Sequence, residues 1–268
     1  MTQKIKFHKM HGAGNDYIYV NTMIYSIENP EEKSRIWSDR HKGIGSDGLV
    51  LIGKSEIADF SMRIFNADGS EAMMCGNASR CIGKYVYDQG LTSQNTITLE
   101  TLSGIKTIHL NIDNERVQSV TVDMGIAVVD TDFLTVTAAG KSFVGIKASV
   151  GNPHFVIFTD NISLIDLPVV GPPIETNPLF PDHTNVEFAE VRDINNVRMR
   201  VWERGSGITM ACGTGACATL AVCAALGKTS RQAAIEMDGG VLNIMLDDNN
   251  HLQMTGPAVT VFEGEIEA

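Results

Sequence analysis

MMCGNASRC at residues 73–81 and MACGTGACA at 210–218 decide the fold. Each sets a cysteine, Cys75 or Cys212, ahead of a glycine where a helical pattern begins. The patterns, ASRCIGKYVYDQG and GACATLAVCAALG, stop at Gly90 and Gly227, which read as C-terminal caps. Taking 75 from 212 gives an offset of 137, and this offset works far from the cysteines. It carries GNDYIYVNT (14–22) onto GNPHFVIFT (151–159), and MRIFNADGSEAMMCG (62–76) onto MRVWERGSGITMACG (199–213). A constant offset over so many positions implies two domains of similar fold.

Around these segments the chain alternates strands and helices. YIYVNT, GLVLIG, ITLETL and VTVDMG are apolar, β-branched runs bounded by Gly, Asn and Asp, and predict strands. NPEEKSRIWSDRHKG (29–43) predicts a helix with Asn29 as N-cap, Pro30 at its first position and Gly43 past its end. The last strand, within GPAVTVFEGEI, either closes the second sheet or crosses back to the first. The expected division is 1–119 with 259–268, and 120–258. GIGSDG (43–48) fits the letters of a dinucleotide-binding glycine motif, but a helix precedes it and a strand follows, the reverse of what that motif needs.

The composition removes several functions. A formal net charge of -11 argues against binding a phosphate backbone. No segment approaches the roughly 20 apolar residues of a membrane span, and MTQKIKFHKMHGAGNDYIYV has no run long enough for a signal peptide, so a cytoplasmic location is expected. Five cysteines without a CxxC pair favour neither a disulfide framework nor a zinc ribbon, and reduced thiols are expected. Cys81, Cys217 and Cys223 lie on apolar helix faces and read as small buried hydrophobes.

Cys75 and Cys212 read differently. The positive end of a helix lowers a thiol's pKa from about 8.5, and its amides bind carboxylates. Two such ends facing one ligand suit inversion of an α-carbon, one thiolate removing the proton and the other thiol delivering one to the opposite face. The carbanion's charge spreads onto the carboxylate, where both helix ends stabilise it. Neither a metal nor any other cofactor is then required.

The segments GAGNDY, FNADGSEAMMCGN, GNPH, TNVEF, ERGSG and ACGTGACA resemble, in order and over nearly the whole chain, the diaminopimelate epimerases. The resemblance implies an α/β (α+β) fold of two pseudo-symmetric domains, each a curved mixed β-sheet wrapped around a central helix, with the active site in the cleft between them. It implies cofactor-free interconversion of L,L- and meso-diaminopimelate in lysine biosynthesis and, in many bacteria, peptidoglycan synthesis. Cys75 and Cys212 become the catalytic acid/base pair, assisted by His154 and Glu203. Asn15, Asn66, Asn152, Asn185 and Arg204 would hold the substrate, with Glu203 beside them, and backbone groups of Gly76, Asn77, Gly213 and Thr214 would bind the carboxylate at the reacting centre. The oligomeric state stays open, with a homodimer among the options.

The repeat adds a reading of its own. Where the halves differ, Tyr17 against His154, Gly48 against Asn185, Asn66 against Glu203 and Ala67 against Arg204, charge and polarity gather in the second. An asymmetric ligand needs that, since one centre reacts while the other must be gripped. Arg204 would clamp the distal carboxylate with a bidentate pair. Without the repeat, Glu203-Arg204 would read as a surface ion pair, and His154 as a structural histidine as readily as a functional one. Ala78, Ile208 and Gly48 depart from the family pattern. Ala78 is expected in a right-handed first turn, where alanine is favourable. The competing readings are a racemase of another amino acid such as histidine or proline, a thiol redox protein, and a non-enzymatic amino-acid-binding protein.

Overall fold

The computed structural model describes residues 4–267. They divide into two compact units, one running up to Val122 and resuming at Gly256, the other Asp123–Thr255. The breaks fall a few residues from the expected 119/120 and 258/259.

Unit 1 contains β1 (Lys4–Gly12), β2 (Asn15–Asn21), α1 (Pro30–Ser38), β3 (Gly48–Gly53), β4 (Phe60–Asn66), the short β5 (Glu71–Ala72), α2 (Gly76–Asp88), β6 (Thr96–Thr101), β7 (Gly104–Asp113) and most of β8 (Arg116–Ile126). β1 lies antiparallel to β2, β2 parallel to β3, β3 antiparallel to β4, β4 parallel to β6, and β6, β7 and β8 follow antiparallel. This curved mixed sheet wraps around α2, which packs against β1 and β7. Ala78, Cys81, Ile82 and Val86 form its buried face.

Unit 2 contains β9 (Val128–Val129), β10 (Leu134–Ala138), β11 (Lys141–Ser149), β12 (Pro153–Phe158), α3 (Leu167–Glu175), β13 (Asn185–Asp193), β14 (Asn196–Glu203), the short β15 (Gly207–Ile208), α4 (Gly213–Ala225), β16 (Gln232–Met237), β17 (Gly240–Leu246) and β18 (His251–Gly256). β11 to β14 and β16 to β18 repeat the pairing senses of unit 1 strand for strand. α4 occupies the place of α2, and it is apolar on every face because sheet surrounds it.

The remaining strand, β19 (Val259–Glu267), resolves the open connection. It pairs antiparallel with β1, from Lys4 opposite Glu267 onward, and so belongs to unit 1. In unit 2 the same edge is filled by β10 on β11.

The helix expected over 29–43 is shorter. Pro30 opens it, but Asn29 takes a left-handed φ of 49° and its side chain makes no cap bond. The helix ends at Ser38 because Asp39 Oδ1 accepts the amides of both His41 and Lys42, each at 2.8 Å, and turns the chain. Gly43 then passes so close to α1 that a Cβ would lie 2.4 Å from the Ile36 carbonyl.

In unit 2, α3 lies against Trp202. A Cβ on Gly171 would sit 2.5 Å from Trp202 Cγ. Gly171→Ala is expected to cost about 1–3 kcal/mol by overpacking, lowering the thermal midpoint by about 2–4 °C per kcal/mol. An unchanged midpoint would mean that α3 shifts freely.

Candidate active site

Both cysteines cap their helices. Cys75 precedes α2 with φ −140°, and its Sγ accepts the amide of Ala78 at 3.5 Å. Cys212 precedes α4 with φ −116°, and its Sγ accepts the amide of Gly215 at 3.3 Å. Ser79 and Ala216 then bond back to the Cys75 and Cys212 carbonyls, closing the first α-helical turns. In α4 the helix leaves its first two amides, those of Gly213 and Thr214, outside its own bonding pattern. The left-handed glycines that end both helices, Gly90 and Gly227, have φ of 66° and 65°.

In unit 1 the Cys75 thiol donates to Asn15 Oδ1 at 3.4 Å, and Asn77 Nδ2 reaches the same oxygen at 3.3 Å. The orientation of Asn15 is set from behind, where its Nδ2 donates to Asp47 Oδ2 at 2.8 Å and Arg40 holds Asp47 at 2.9 Å. Arg80, fully buried, fixes Asn77 by donating to its Oδ1 at 2.7 Å and also reaches the Pro257 carbonyl at 3.2 Å. Burial first, then the charge of the Cys75 sulfur, push the Tyr17 hydroxyl well above the usual range. Asn66 stands opposite Gly48 in the β3–β4 register and donates to Ser70 Oγ at 3.0 Å.

Unit 2 builds a more charged version. Cys212 is 4% exposed. Burial pushes its thiol well above the usual range and the charges of Glu203 and Glu187 push further, against the Thr214 hydroxyl and the Gly215 amide. Thr209 Oγ1 caps the Glu203 carboxylate, and burial raises Glu203 in turn. Thr214 Oγ1 lies 3.6 Å from Cys212 Sγ and accepts Asn152 Nδ2 at 3.3 Å. Asn152 Oδ1 is 3.0 Å from His154 Nε2. His154 pairs with Asn185 across the parallel β12–β13 register, and Asn185 Oδ1 accepts the Arg204 amide at 3.0 Å.

Asn152, His154 and Arg204 line a cavity of about 550 Å³ together with Lys147, Phe180 and Asp182. The Arg204 guanidinium donates to the Asp182 carbonyl at 2.9 Å, which aims the side chain along the cavity wall. The expected residues of the second half therefore gather in one place, Cys212, Thr214, Asn152, His154, Asn185, Glu203 and Arg204. In the first half Cys75, Asn15 and Asn77 gather, and Asn66 faces Ser70.

Sequence reading missed four supports, Asp47, Arg80, Glu175 and Glu187. Glu175, at the end of α3, accepts Trp202 Nε1–H at 2.6 Å and the Gly205 amide at 3.0 Å, so it grips the chain on both sides of Glu203-Arg204. Glu175→Ala leaves both donors short of a partner and is expected to lower stability by about 1–3 kcal/mol and to raise KM. A denaturation midpoint and KM both unchanged would show that the clamp is idle.

The departures have physical readings. Ala78 is helical, as expected, and is also fully buried. A Cβ on Gly48 would lie 2.0 Å from the Phe65 carbonyl oxygen and 3.0 Å from Tyr17 Cε1, so no side chain fits there. Ile208 lies on β15 and is exposed. Cys81, Cys217 and Cys223 are fully buried; burial lifts the Cys81 thiol to about 11 and that of Cys223 to about 12. Among the described residues, no helix is long and apolar enough to cross a membrane, and no cluster of three or more metal-ligating side chains occurs.

The repeated α/β unit places the chain in a structural class by fold. Its solved members include a phenazine biosynthesis protein of Bacillus anthracis, with a TM-score of 0.77 and 16% identity over 99% of this chain and all of the other. A hydroxyproline epimerase of Agrobacterium vitis has a TM-score of 0.71 and 15% identity over all of this chain and 94% of the other. At those identities the likeness is one of fold. The diaminopimelate epimerase profile matches residues 7–129 and 146–261, and the diaminopimelate epimerase of Parabacteroides distasonis is 62% identical over the full length of both chains. The chain belongs to the diaminopimelate epimerase family.

Proposed function

We propose that the protein is a cytoplasmic isomerase of lysine biosynthesis that interconverts L,L- and meso-diaminopimelate by a two-base mechanism on Cys75 and Cys212, with this small molecule as its partner and no cofactor. The observation that carries this reading is the duplicated cysteine cap, with a sulfur held at the N-terminus of each central helix. Such an end supplies a polarised thiol and amides for a carboxylate in the same few ångströms.

In this mechanism Cys75 as thiolate takes the α-proton. The C–H electrons pass into the carboxylate, and the Cys212 thiol gives its proton to the opposite face, ending as thiolate. The reverse reaction exchanges the roles. Burial and the two carboxylates raise the Cys212 pKa, which suits it to rest as the acid. To reset the pair, Cys75 releases its proton to solvent and Glu203, raised by burial and close enough for its charge to act on Cys212, supplies one to that sulfur and is re-protonated from solvent. Backbone groups of Gly76, Asn77, Gly213 and Thr214 hold the reacting carboxylate. Asn15, Asn66, Asn152 and Asn185 orient the ammonium groups and remaining oxygens, and Arg204 takes the distal carboxylate.

Incubating reduced protein with L,L-diaminopimelate, without additives, and separating the stereoisomers tests this function. Accumulation of meso product until the two forms reach equilibrium is expected. Unchanged substrate with folded, reduced protein, alongside conversion of histidine or proline, would move the protein to another substrate.

A further inference from the structure

The internal repeat lets each unit serve as a control for the other. Adding 137 takes Tyr17, Val50 and Ala78 onto His154, Glu187 and Gly215. Val50 faces Ile64 in the β3–β4 register, and Glu187 faces Val201 in the equivalent β13–β14 register. The backbone at this position therefore accepts valine in unit 1, and the strand itself does not call for a carboxylate. Unit 2 nevertheless buries one. Glu187 is 0% exposed and His154 1%.

The three substitutions form one arrangement. Glu187 Oε1 lies 2.7 Å from His154 Nδ1, the length of a charge-assisted bond. A Cβ on Gly215 would sit 2.8 Å from the same oxygen, so glycine leaves room for the carboxylate where unit 1 packs Ala78. Glu187 Oε2 is buried with no hydrogen-bond partner among the described residues. A carboxylate kept for structure would satisfy both oxygens, since a buried unpaired one is costly. One oxygen bonds the histidine, and the other is tolerated without a partner.

We infer that Glu187 is a positioning residue for the proton transfers at Cys212, holding the His154 ring with a proton on Nδ1 and its Nε2 turned toward Asn152, with Gly215 providing the space. The Glu187 carboxylate accepts, so Nδ1 donates to it; Asn152 presents its oxygen to Nε2, so that nitrogen donates as well, and the bond made by Nδ1 fixes the ring orientation that aims Nε2. Nε2 then faces Asn152 at 3.0 Å, and Asn152 reaches Thr214 at 3.3 Å, which lies 3.6 Å from the reacting sulfur. Glu187 thereby sets the protonation pattern at the start of a hydrogen-bonded path ending on Cys212. This rests on the epimerase reading for its consequence and on geometry alone for the pairing.

The test replaces Glu187 and Gly215 with unit 1's own side chains. The full chain carrying Glu187→Val with Gly215→Ala is compared with Glu187→Gln, which keeps an acceptor oxygen. Ring-nitrogen NMR of 15N-histidine-labelled protein reads His154, assigned through His154→Gln. The wild type is expected to carry a proton on Nδ1, Glu187→Gln to keep that signature, and the double variant to lose it. kcat should fall about tenfold or more in the double variant with KM within about twofold, and recover most of the loss in Glu187→Gln. Should the double variant not fold, Glu187→Leu, closer to glutamate in volume, gives the same reading. An unchanged Nδ1 signature in the carboxylate-free variant overturns the inference, as does a changed signature with kcat intact. The signature is read on resting protein, so it decides the pairing even if the wild type fails to turn over diaminopimelate, a result that would sink the epimerase reading instead.

Discussion

Cys75→Ala and Cys212→Ala are each expected to lower kcat about a thousandfold or more, while both proteins stay folded. Each substitution removes one of the two proton carriers of the proposed mechanism, and positioned acid–base groups contribute about 10²–10⁴ in rate. The cost to the fold is small, because the lost cap bonds are sulfur contacts of 3.5 and 3.3 Å. Serine separates the two roles. Its oxygen caps a helix well, so Cys75→Ser and Cys212→Ser should be at least as stable as the alanine forms and equally inactive, since a hydroxyl does not ionise at neutral pH. Turnover within about tenfold of wild type in either alanine variant would remove that cysteine from the chemistry.

Arg204→Met is expected to raise KM about tenfold or more. Arg204 is exposed; a hydrogen bond to a charged group contributes about 1.5–3 kcal/mol, and 1.4 kcal/mol is a factor of ten. Methionine keeps much of the apolar stem and deletes the charge. The backbone of residue 204 stays anchored, its amide on Asn185 and its neighbour's on Glu175. Stability should therefore change little, and the loss should appear in binding. Arg204→Lys should fall between the two, because a point charge cannot reproduce a two-pronged bond. An unchanged KM in Arg204→Met would take this residue out of the distal clamp.

Much of this fold is legible because it is written twice. The offset fixes both helices, and each Cys-Gly start and Gly stop has a mechanism that survives without tertiary information, namely a capping side chain and a left-handed terminal residue. Elements without a second copy read less well. The length of α1 is set by Asp39 capturing two amides, a local choice that competes with continuing the helix. α3 carries Gly171, Pro172 and Pro173, which propensity alone would place outside a helix. It is held instead by contact with Trp202 and by Glu175.

The site divides in the same way. Residues that differ between halves announce themselves as asymmetry, as His154, Glu203 and Arg204 do. Asp47, Arg80 and Glu187 also differ from their counterparts Thr184, Cys217 and Val50, but the difference alone does not show their importance, which lies in which side chain each one holds. A charge inside a buried strand, as in TNVEF, was the available signal for Glu187. So was the lone arginine on the apolar side of α2 for Arg80. Both are the kind of local conflict that folded proteins keep at functional places.

The two-base claim is tested most directly by running the reaction on L,L-diaminopimelate in D2O and stopping it at a few per cent conversion. Deuterium at the α-carbon is then measured separately in recovered substrate and in product, by mass spectrometry after separation. With one thiol removing the proton and the other, already exchanged with solvent, delivering to the opposite face, the meso product should carry deuterium at the inverted centre and the recovered L,L form almost none. Comparable deuterium in both, or product that retains the substrate's own proton, would mean that a single group works on both faces and would contradict the account.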